Sequence, residues 1–420
     1  MIFLNPQRAL DEMKQLRDLT SDENGNQRVV FTPTWKKAVD FFTAKVEELG
    51  LGWRTDPAGN LWATLEGESP QALVIGGHLD SVPNGGWLDG CWNVIAGLEV
   101  VRAYKLAGQR PPVTLKVVNW CDEEGARFGR SLFGSSAFSG FLDIEAVKIL
   151  KDKDGITVEE AARAYGVDVN QAPLATREQK DIAAYLELHI EQGPVLEGLG
   201  LPLGAVLGTV GVERHFITFH GQAAHSGSTP MNVRKDAFLA AAKMAQEIYT
   251  IASRHSGVCT IGSCVTKPGI VTSVVEDCTI TLDQRHLDAG ELAAMWSEAQ
   301  DAARRFAAEG NVTVAFGDLW KIHPIPFHPE LIDFCDQAIT ETVGTSHKLP
   351  SGPLHDAAEV CRAGIPTQML FVQSLRGISH NKIEDTKEEH LLASVTALAK
   401  LAEKTIEWLL KSHLVNHTIG

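Results

Sequence analysis

Side chains that can bind metal ions or transfer protons follow apolar segments of the sequence at four places. These clusters are Gly77-His78-Leu79-Asp80, Cys121-Asp122-Glu123-Glu124, His189-Ile190-Glu191-Gln192 and Ser379-His380. A further carboxylate, Asp89, lies in the glycine-rich segment GGWLDG after the first cluster. Imidazole nitrogens together with carboxylate oxygens, and without thiolates, suit Zn²⁺, Mn²⁺ or Co²⁺. The sequence therefore predicts a metal site built from these clusters.

Each cluster also has a purely structural explanation. A single histidine at a strand end, such as His78 or His380, is more often a hydrogen-bonded structural group than a ligand. The adjacent Glu123 and Glu124 fit a solvated turn. Four strand ends that all carry ligand-type residues are hard to explain by separate coincidences of this kind. The metal site is therefore the favoured interpretation.

The residue types also fit a site for two metal ions. Two ions roughly 3.5–4 Å apart need a bridging carboxylate and leave room for a bridging water. Asp89 is the natural bridge. Asp80, two residues after His78, is placed to accept the second N–H of that imidazole and fix its tautomer. Of Glu123 and Glu124, one can bind metal while the other acts as general base.

The clusters need a scaffold that brings distant strand ends together. Apolar strand-like segments alternate with helical spacing, which is typical of a largely parallel sheet with helices on both faces. The predicted strands are 72–77, 113–120, 184–190 and 366–372, and the predicted helices include 34–50, 93–107, 329–343 and 387–412. Open parallel sheets place their sites at the carboxyl ends of the strands. The alternation predicts an α/β fold, with a helical insertion at 141–180.

The middle of the chain has a different order of elements, β-α-β-β-α-β. Its strands are predicted at 214–220, 258–265, 277–285 and 311–317, and its helices at 235–254 and, after an Asp288 cap, 289–309. This order is typical of a ferredoxin-like split unit, which is a compact α+β domain. A chain of 420 residues also exceeds the usual size of a single core. We expect one domain of residues 1–212 and 328–420, interrupted by an inserted domain of residues 213–327.

Composition excludes several classes of protein. The 38 basic and 53 acidic residues give a net charge of −15, and the basic runs are short, so nucleic acid is not an expected partner. No segment approaches the roughly 18 consecutive apolar residues of a membrane-spanning helix, and the first residues lack the apolar core of a signal peptide. The seven cysteines include no Cys-x-x-Cys pair, which fits reduced thiols. We expect a cytoplasmic globular protein with no membrane partner.

Longer motifs carry a resemblance to a known family. They are GGHLDSVPNGGWLDG, EEGARFGRSLFGSSAFSG, LELHIEQGPVLE, GQAAHSGSTPMNVRKDA, LDQRH, SGPLHDAAE and GISHN, which together span nearly the whole chain. The sequence resembles the hydantoinase/carbamoylase family of dinuclear metal amidohydrolases. That family lies within the clan of aminoacylase- and carboxypeptidase-like metallopeptidases. The resemblance implies a homodimer in which the inserted domain serves as lid and dimerisation domain.

The resemblance also implies a role for each residue of the metal site. The implied ligands of two divalent ions, Zn, Mn or Co, are His78, Asp89 as the bridge, Glu124, His189 and His380. Glu123 is implied as the base that activates the attacking water. A histidine at position 189, where peptidase relatives use a carboxylate, disfavours peptide hydrolysis.

Further residues are implied around the substrate. His225, in GQAAHSG, is expected to enter the partner subunit's site and stabilise the oxyanion, although it also fits a histidine that caps a turn. Arg285 is expected to pair with the substrate carboxylate, although an ion pair with Asp283 or Glu276 is the alternative. Gln192 is expected to hydrogen-bond the ureido group or to order the surroundings of the ligands. His355 and Asp356, in SGPLHDAAE, are expected to lie behind the ligands.

One departure from the family concerns the acid-binding end of the pocket. Family members usually carry an asparagine there, in a segment that reads PGIVTSVVED in this chain, so that Thr272 or Ser273 takes its place. A hydroxyl reaches less far than a carboxamide, so the sequence does not determine which acid portion the substrate carries.

The resemblance implies an amidohydrolase that cleaves the carbamoyl C–N bond of a small ureido acid, an N-carbamoyl-L-amino acid. The alternatives within the same chemistry are allantoate and 3-ureidopropionate, the latter the substrate of β-ureidopropionases. A dipeptidase and a catalytically silent binding homologue are the alternatives outside it.

Overall fold

The computed structural model describes residues 3–417. The chain divides into two compact units. Unit 1 comprises residues 1–208 and 327–420, and unit 2 comprises residues 209–326. The sequence predicts an inserted domain at residues 213–327, and unit 2 spans residues 209–326.

The regular elements are numbered in chain order. The α-helices are α1 (Pro6–Thr20), α2 (Pro33–Glu48), α3 (Cys91–Leu106), α4 (Phe133–Ser139), α5 (Ile144–Val147), α6 (Val158–Arg163), α7 (Val195–Leu199), α8 (Ala237–Arg254), α9 (Ala289–Glu309), α10 (Pro329–Val343), α11 (Asp356–Arg362) and α12 (Glu388–His417). The strands are β1 (Ser21–Asp22), β2 (Gly25–Asn26), β3 (Gly52–Thr55), β4 (Leu61–Leu65), β5 (Ser69–His78), β6 (Val113–Trp120), β7 (Ile182–Ile190), β8 (Leu203–Thr209), β9 (Gly211–His220), β10 (Ala224–His225), β11 (Val258–Lys267), β12 (Ser273–Val274), β13 (Asp277–His286), β14 (Thr313–Ile322), β15 (Ile325–Pro326), β16 (Lys348–Ser351) and β17 (Thr367–Val372). Short 3₁₀ segments lie at Val169–Asp181, Met231–Val233 and Leu375–Gly377.

Unit 1 is built on a mixed sheet with the strand order β8-β17-β7-β5-β6-β4-β3. The central strands β17, β7, β5 and β6 are parallel to one another, whereas β8, β4 and β3 run antiparallel to their neighbours. Both faces are covered, because Leu73 and Ile75 of β5 belong to one hydrophobic core and Val74 belongs to another. Burial on both faces explains why these strands read as nearly continuous apolar runs. The predicted α/β fold with a mostly parallel sheet is confirmed.

Unit 2 has an antiparallel sheet with the strand order β11-β13-β9-β14. Helices α8 and α9 pack on it, and Met244, Ile248 and Met295 contribute to its hydrophobic core. Asp288 caps α9 by accepting a hydrogen bond from the backbone N–H of Glu291. The long elements follow one another as β9-α8-β11-β13-α9-β14, the β-α-β-β-α-β order of a split unit.

The segment between β6 and β7 is less regular than the expected helical insertion at 141–180. It contains the short helices α5 and α6 and the 3₁₀ segment Val169–Asp181, which includes Pro173. Proline lacks the backbone donor that an α-helix needs, so this stretch cannot continue as one helix. Among residues 3–417, no helix combines the length and apolar character needed to cross a membrane.

Candidate metal centre

The four parallel strands at the centre of unit 1 end at the same edge of the sheet. Strand β5 ends at His78, β6 at Trp120, β7 at Ile190 and β17 at Val372. Since these strands are neighbours in the order β17-β7-β5-β6, the polar residues that follow them converge. The four clusters of the sequence therefore meet.

Of the four groups of ligand-type atoms among the described residues, two share Asp89. His78, Asp89 and His189 make one group, and Asp89, Glu124 and His380 make the other; within each, the candidate ligand atoms lie within 4.8 Å of one another. Oδ1 of Asp89 lies 3.2 Å from Nε2 of His189 and 3.7 Å from Nε2 of His78. Oδ2 of Asp89 lies 3.3 Å from Nε2 of His380, and that nitrogen is also 3.3 Å from Oε2 of Glu124. Asp89 is thus the common member of the site.

Both buried imidazoles direct Nε2 into this site. Nδ1 of His78 faces the carbonyl oxygen of Asp80 at 3.1 Å, and Nδ1 of His189 faces that of Ile190 at 2.8 Å. A carbonyl accepts only from N–H, so the proton of each neutral ring is on Nδ1 and the lone pair is on Nε2. Nε2 of His78 is buried and has no hydrogen-bond partner among the described residues. Nε2 of His189 instead lies 3.2 Å from Oδ1 of Asp89, and although burial opposes it, this contact raises the pKa of His189 to about 9 in the metal-free site. A buried acceptor without a partner is costly unless a cation occupies the space, so the residues fit a metal ion.

The side chain of Asp80 has a different contact from the expected one. The imidazole N–H of His78 meets the main-chain carbonyl of Asp80, whereas the Asp80 carboxylate lies 3.7 Å from Nδ1. That carboxylate instead accepts hydrogen bonds from the backbone N–H groups of Glu123 at 3.3 Å and Glu124 at 3.1 Å. Asp80 therefore fixes the tautomer through its backbone and holds the two glutamates in place through its side chain.

Burial determines the electrostatics of the site. Burial lowers the pKa of His78 to about 3, so this ring is neutral and able to bind a cation. Burial raises the pKa of Glu123 and Glu124 well above the usual range, and nearby carboxylates add to the shift. Although burial opposes ionisation of Asp89, its contacts with His189 and His380 hold its pKa well below the usual range. Crowded acids of this kind are favourable only next to positive charge.

The chain that builds this site matches a known protein family. Residues 74–404 match the family model described as Peptidase family M20/M25/M40. The chain belongs to this family.

Individual relatives narrow the assignment. The chain is 36% identical to an N-carbamoyl-L-amino acid amidohydrolase of Geobacillus stearothermophilus, over 92% of this chain and 95% of the relative. It is 33% identical to an allantoate amidohydrolase of Escherichia coli (strain K12), over 89% and 92%. A crystal structure of a hydantoinase/carbamoylase family amidase from Burkholderia ambifaria is similar at a TM-score of 0.86, with 32% identity over 95% of this chain and 96% of that one. The resemblance to the hydantoinase/carbamoylase family is confirmed, and with it the enzyme class, a hydrolase of C–N bonds in linear amides.

Glu384 is a buried residue of this M20 family site that the sequence patterns did not single out. Its carboxylate accepts hydrogen bonds from the backbone N–H groups of Leu88 and Asp89, each at 3.1 Å. Its Oε2 also accepts a 2.8 Å hydrogen bond from Oγ of Ser379, the residue before His380. Glu384 therefore ties the loop of Asp89 to the loop of His380. Its position four residues after His380 is the only signal in the sequence that pointed to it.

A second layer of buried groups lies behind His189. The ring of His355 lies against that of His189, with 4.3 Å between centroids, and its Nε2 has no hydrogen-bond partner in the described part of the chain. Glu187 accepts hydrogen bonds from the Tyr185 hydroxyl at 2.7 Å and from the backbone N–H of Ala357 at 2.9 Å. The structure thus places His355 next to a ligand-type residue.

Asp356 belongs to the same buried region. It is the first residue of α11 and is 0% exposed. Its charge is the largest carboxylate contribution to the raised pKa of Glu123, after burial itself. Asp356 is therefore close enough to the expected base to influence its protonation.

His225, Thr272 and Arg285, which are expected to contact the substrate, lie in unit 2. His225 in β10 pairs with Ser273 in β12, and the carbonyl of Thr272 accepts a hydrogen bond from the backbone N–H of Ser226 at 3.0 Å. His225 and Thr272 are exposed and lie in paired segments. Arg285 lies in β13, where its Nε donates to Asp283 at 2.8 Å. The ion pair with Asp283 considered for Arg285 is therefore present.

Proposed function

We propose that this amidohydrolase cleaves the carbamoyl C–N bond of N-carbamoyl-L-amino acids and releases the amino acid, CO₂ and ammonia. The observation that carries the proposal is the pair of ligand groups sharing Asp89, toward which the buried imidazoles of His78 and His189 both direct Nε2. The N-carbamoyl-L-amino acid amidohydrolase that is 36% identical to this chain supports the choice of substrate class.

The residues around Asp89 fit two divalent ions. In this proposal His78 and His189 would hold one ion, Glu124 and His380 would hold the other, and Asp89 would be shared between the two ions. The set of three imidazoles and two carboxylates suits Zn²⁺, Mn²⁺ or Co²⁺. Bound ions of this kind polarise a carbonyl and lower the pKa of water.

Glu123 is the proposed general base. Its Oε2 lies 3.6 Å from Nε2 of His78, so the carboxylate borders the ligand groups. In the proposal it takes the proton of the attacking water and later passes it to the leaving nitrogen. Burial and the charges of Asp356 and Glu124 raise the pKa of Glu123 in the metal-free protein. A carboxylate at the border of the ligand groups is a suitable type of residue for general acid–base catalysis.

His225 is the proposed donor to the oxyanion, contributed by the partner subunit in a homodimer. Its Nδ1 accepts hydrogen bonds from the backbone N–H groups of Gly227 at 3.1 Å and Ser228 at 3.3 Å. In a neutral ring this places the proton on Nε2, which is thereby fixed as a donor. A preorganised N–H donor is what a developing oxyanion requires. The same two contacts also describe a turn cap, so the test must separate the roles.

The acid end of the substrate is the proposed partner of Arg285. A guanidinium can bind a carboxylate with two parallel hydrogen bonds. Arg285 would have to exchange part of its contact with Asp283 for the substrate. Thr272, at the position of the family's usual asparagine, is the proposed second contact to this end of the substrate.

Allantoate is the second candidate substrate. The relative at 33% identity is an allantoate amidohydrolase, and the substitution at Thr272 and Ser273 changes the region that would recognise the acid. The bond broken and the residues that break it are the same in both cases.

A panel of substrates tests the proposal. The metal-free protein is reloaded separately with Mn²⁺, Co²⁺ and Zn²⁺ and assayed with N-carbamoyl-L-amino acids, allantoate, 3-ureidopropionate and a dipeptide. We expect the highest kcat/KM with an N-carbamoyl-L-amino acid. A higher kcat/KM with allantoate would identify allantoate as the preferred substrate. Hydrolysis of the dipeptide alone would overturn the proposal. Absence of bound metal together with absence of turnover would indicate a silent homologue.

A further inference from the structure

Arg28 is a fully buried arginine whose contacts in the described chain are all with uncharged acceptors. Its side chain is 0% exposed. Nε donates to the carbonyl of Leu79 at 2.8 Å, one terminal nitrogen donates to Sγ of Cys91 at 3.2 Å, and the other donates to Oδ1 of Asn26. A buried cation without an ion-pair partner is costly to retain. The presence of Arg28 at this buried position is therefore best explained by a specific function.

Two of the acceptors of Arg28, Leu79 and Cys91, stand at opposite ends of one loop. Leu79 directly follows His78, and Cys91 comes two residues after Asp89. The loop of residues 79–91 thus begins and ends at groups that the same guanidinium holds. The planar, rigid guanidinium sets the distance between these two atoms, which a lysine ammonium cannot do.

The backbone of Arg28 holds the same loop. Its N–H donates to Oγ of Ser81, and its carbonyl accepts from the backbone N–H of Ser81, both at 3.1 Å. Asn26 and Gly85 exchange backbone hydrogen bonds at 3.0 and 3.2 Å. The segment before α2 is therefore fastened along the loop that carries Asp89.

Gly90 shows how little freedom the end of this loop has. Its φ is +66°, and a Cβ at this position would lie 2.2 Å from the imidazole of His78. Cys91 follows directly and begins α3. A small shift at this end of the loop therefore changes the contact between His78 and Asp89. Arg28 is placed to prevent such a shift.

We propose that Arg28 is a positioning residue that sets the separation of His78 and Asp89 by bridging the two ends of loop 79–91. Its positive charge also lies near Asp80 and offsets part of the negative charge of the site. This inference rests on the proposed function, because it takes His78 and Asp89 to be metal ligands. Cys91 gains a role here as the acceptor at the far end of the loop.

The test compares two variants with the unsubstituted protein. R28K keeps the positive charge but loses the planar guanidinium, and R28M loses both. The readouts are the dissociation constant of Zn²⁺, from competition with a chelator, and the visible absorption spectrum of the Co²⁺-loaded protein. We expect R28M to weaken Zn²⁺ binding about 10- to 100-fold, the range typical of groups that orient ligands. R28K is expected to restore less than half of that loss on a logarithmic scale, and both variants should change the Co²⁺ spectrum.

Matched controls separate positioning from general destabilisation. R102M removes another buried arginine, one that pairs with Glu12 and Glu99 between α1 and α3. C91A removes only one acceptor of Arg28, and its control C335A removes a buried thiol in α10. We expect C91A to weaken Zn²⁺ binding and both controls to leave it unchanged. If R28M does not fold, the Zn²⁺ dissociation constants of C91A and C335A are compared instead to test the role of Arg28.

The outcomes distinguish this inference from the proposed function. Folded R28M or C91A with an unchanged Zn²⁺ dissociation constant and an unchanged Co²⁺ spectrum would overturn the role of Arg28 alone. If the unsubstituted protein binds no metal, or if H78A and D89N bind it normally, the proposed function fails first.

Discussion

Gln192 donates a hydrogen bond from Nε2 to Oδ2 of Asp89 at 2.9 Å. The same nitrogen lies 3.0 Å from Oγ of Ser379, and the backbone N–H of Gln192 donates to Ser374. The opposite orientation of the amide would place Oε1 against a carboxylate, so the electrostatics favour Nε2 in this position. Gln192 is therefore engaged with the shared carboxylate of the site rather than pointing away from it.

The contact between Gln192 and Asp89 leads to the first prediction. We expect Q192A to weaken metal binding about tenfold, because the side chain that orients Asp89 is lost. At saturating metal, the KM for the substrate should change less than the metal dissociation constant. Q368A, which removes a buried glutamine in β17 that bonds to Val206, serves as the control. A raised KM with unchanged metal affinity would instead identify Gln192 as a substrate contact.

Glu123 provides the second prediction. E123Q keeps the size of the side chain but removes its basicity, so we expect the variant to bind metal normally while kcat falls about 10²- to 10⁴-fold. Metal content by mass spectrometry and steady-state turnover are measured on the same preparation. Turnover close to that of the unsubstituted enzyme would show that another group accepts the proton.

The convergence of the candidate ligands was largely predictable because it follows from a topological rule. Parallel strands deliver their carboxyl ends to one edge of the sheet, so an imidazole after β5 and another at the end of β7 had to lie close together. The proximity of His78 and His189 could therefore be predicted from the alternation of apolar segments and polar ends, whereas their role as metal ligands was implied by the family resemblance. The predicted strand 113–120 agrees with β6, and the predicted helix 289–309 agrees with α9.

The residues that contact the candidate ligands and their loops could not be found in this way. Arg28 lies in the polar segment ENGNQR, where nothing in the sequence distinguishes a fully buried guanidinium from a solvated one. The Asp80 contact was predicted for its side chain, but the carbonyl of the same residue is nearer to His78. Main-chain hydrogen bonds depend on loop geometry, which side-chain spacing does not encode.

His225 leads to the third prediction, which tests the proposed homodimer. Neither E123Q nor H225N alone should have more than trace activity, but each carries the group that the other lacks. If His225 acts in the partner subunit's site, random mixing of the two variants by co-expression restores about a quarter of the normal activity, because half of the dimers then contain one complete site. Differently tagged subunits allow the mixed dimer to be isolated. A mixed dimer no more active than the separate variants would place His225 in its own subunit's site or outside catalysis.

The fourth prediction concerns the metal-free protein, in which the buried carboxyl groups of the site have raised pKa values. Burial raises the pKa of Asp80 to about 6 and that of Glu384 to about 7, and it raises that of Glu123 well above its usual range. Between pH 4.5 and about 7 the metal-free native state then holds a proton on Glu384 that the unfolded chain has released. The contribution of such a group to the free energy of unfolding falls as the pH rises through this range.

The fourth prediction is measured by urea unfolding in the presence of EDTA at pH 5 and pH 7.5, for the unsubstituted protein and E384Q. We expect the metal-free protein to lose more stability over this interval than E384Q does, because the substituted side chain cannot titrate. Metal binding favours the ionised carboxylates, so titration calorimetry near neutral pH in buffers of different ionisation enthalpy should show proton release. An equal pH dependence in both proteins, or proton uptake on metal binding, would contradict the electrostatic description of the site.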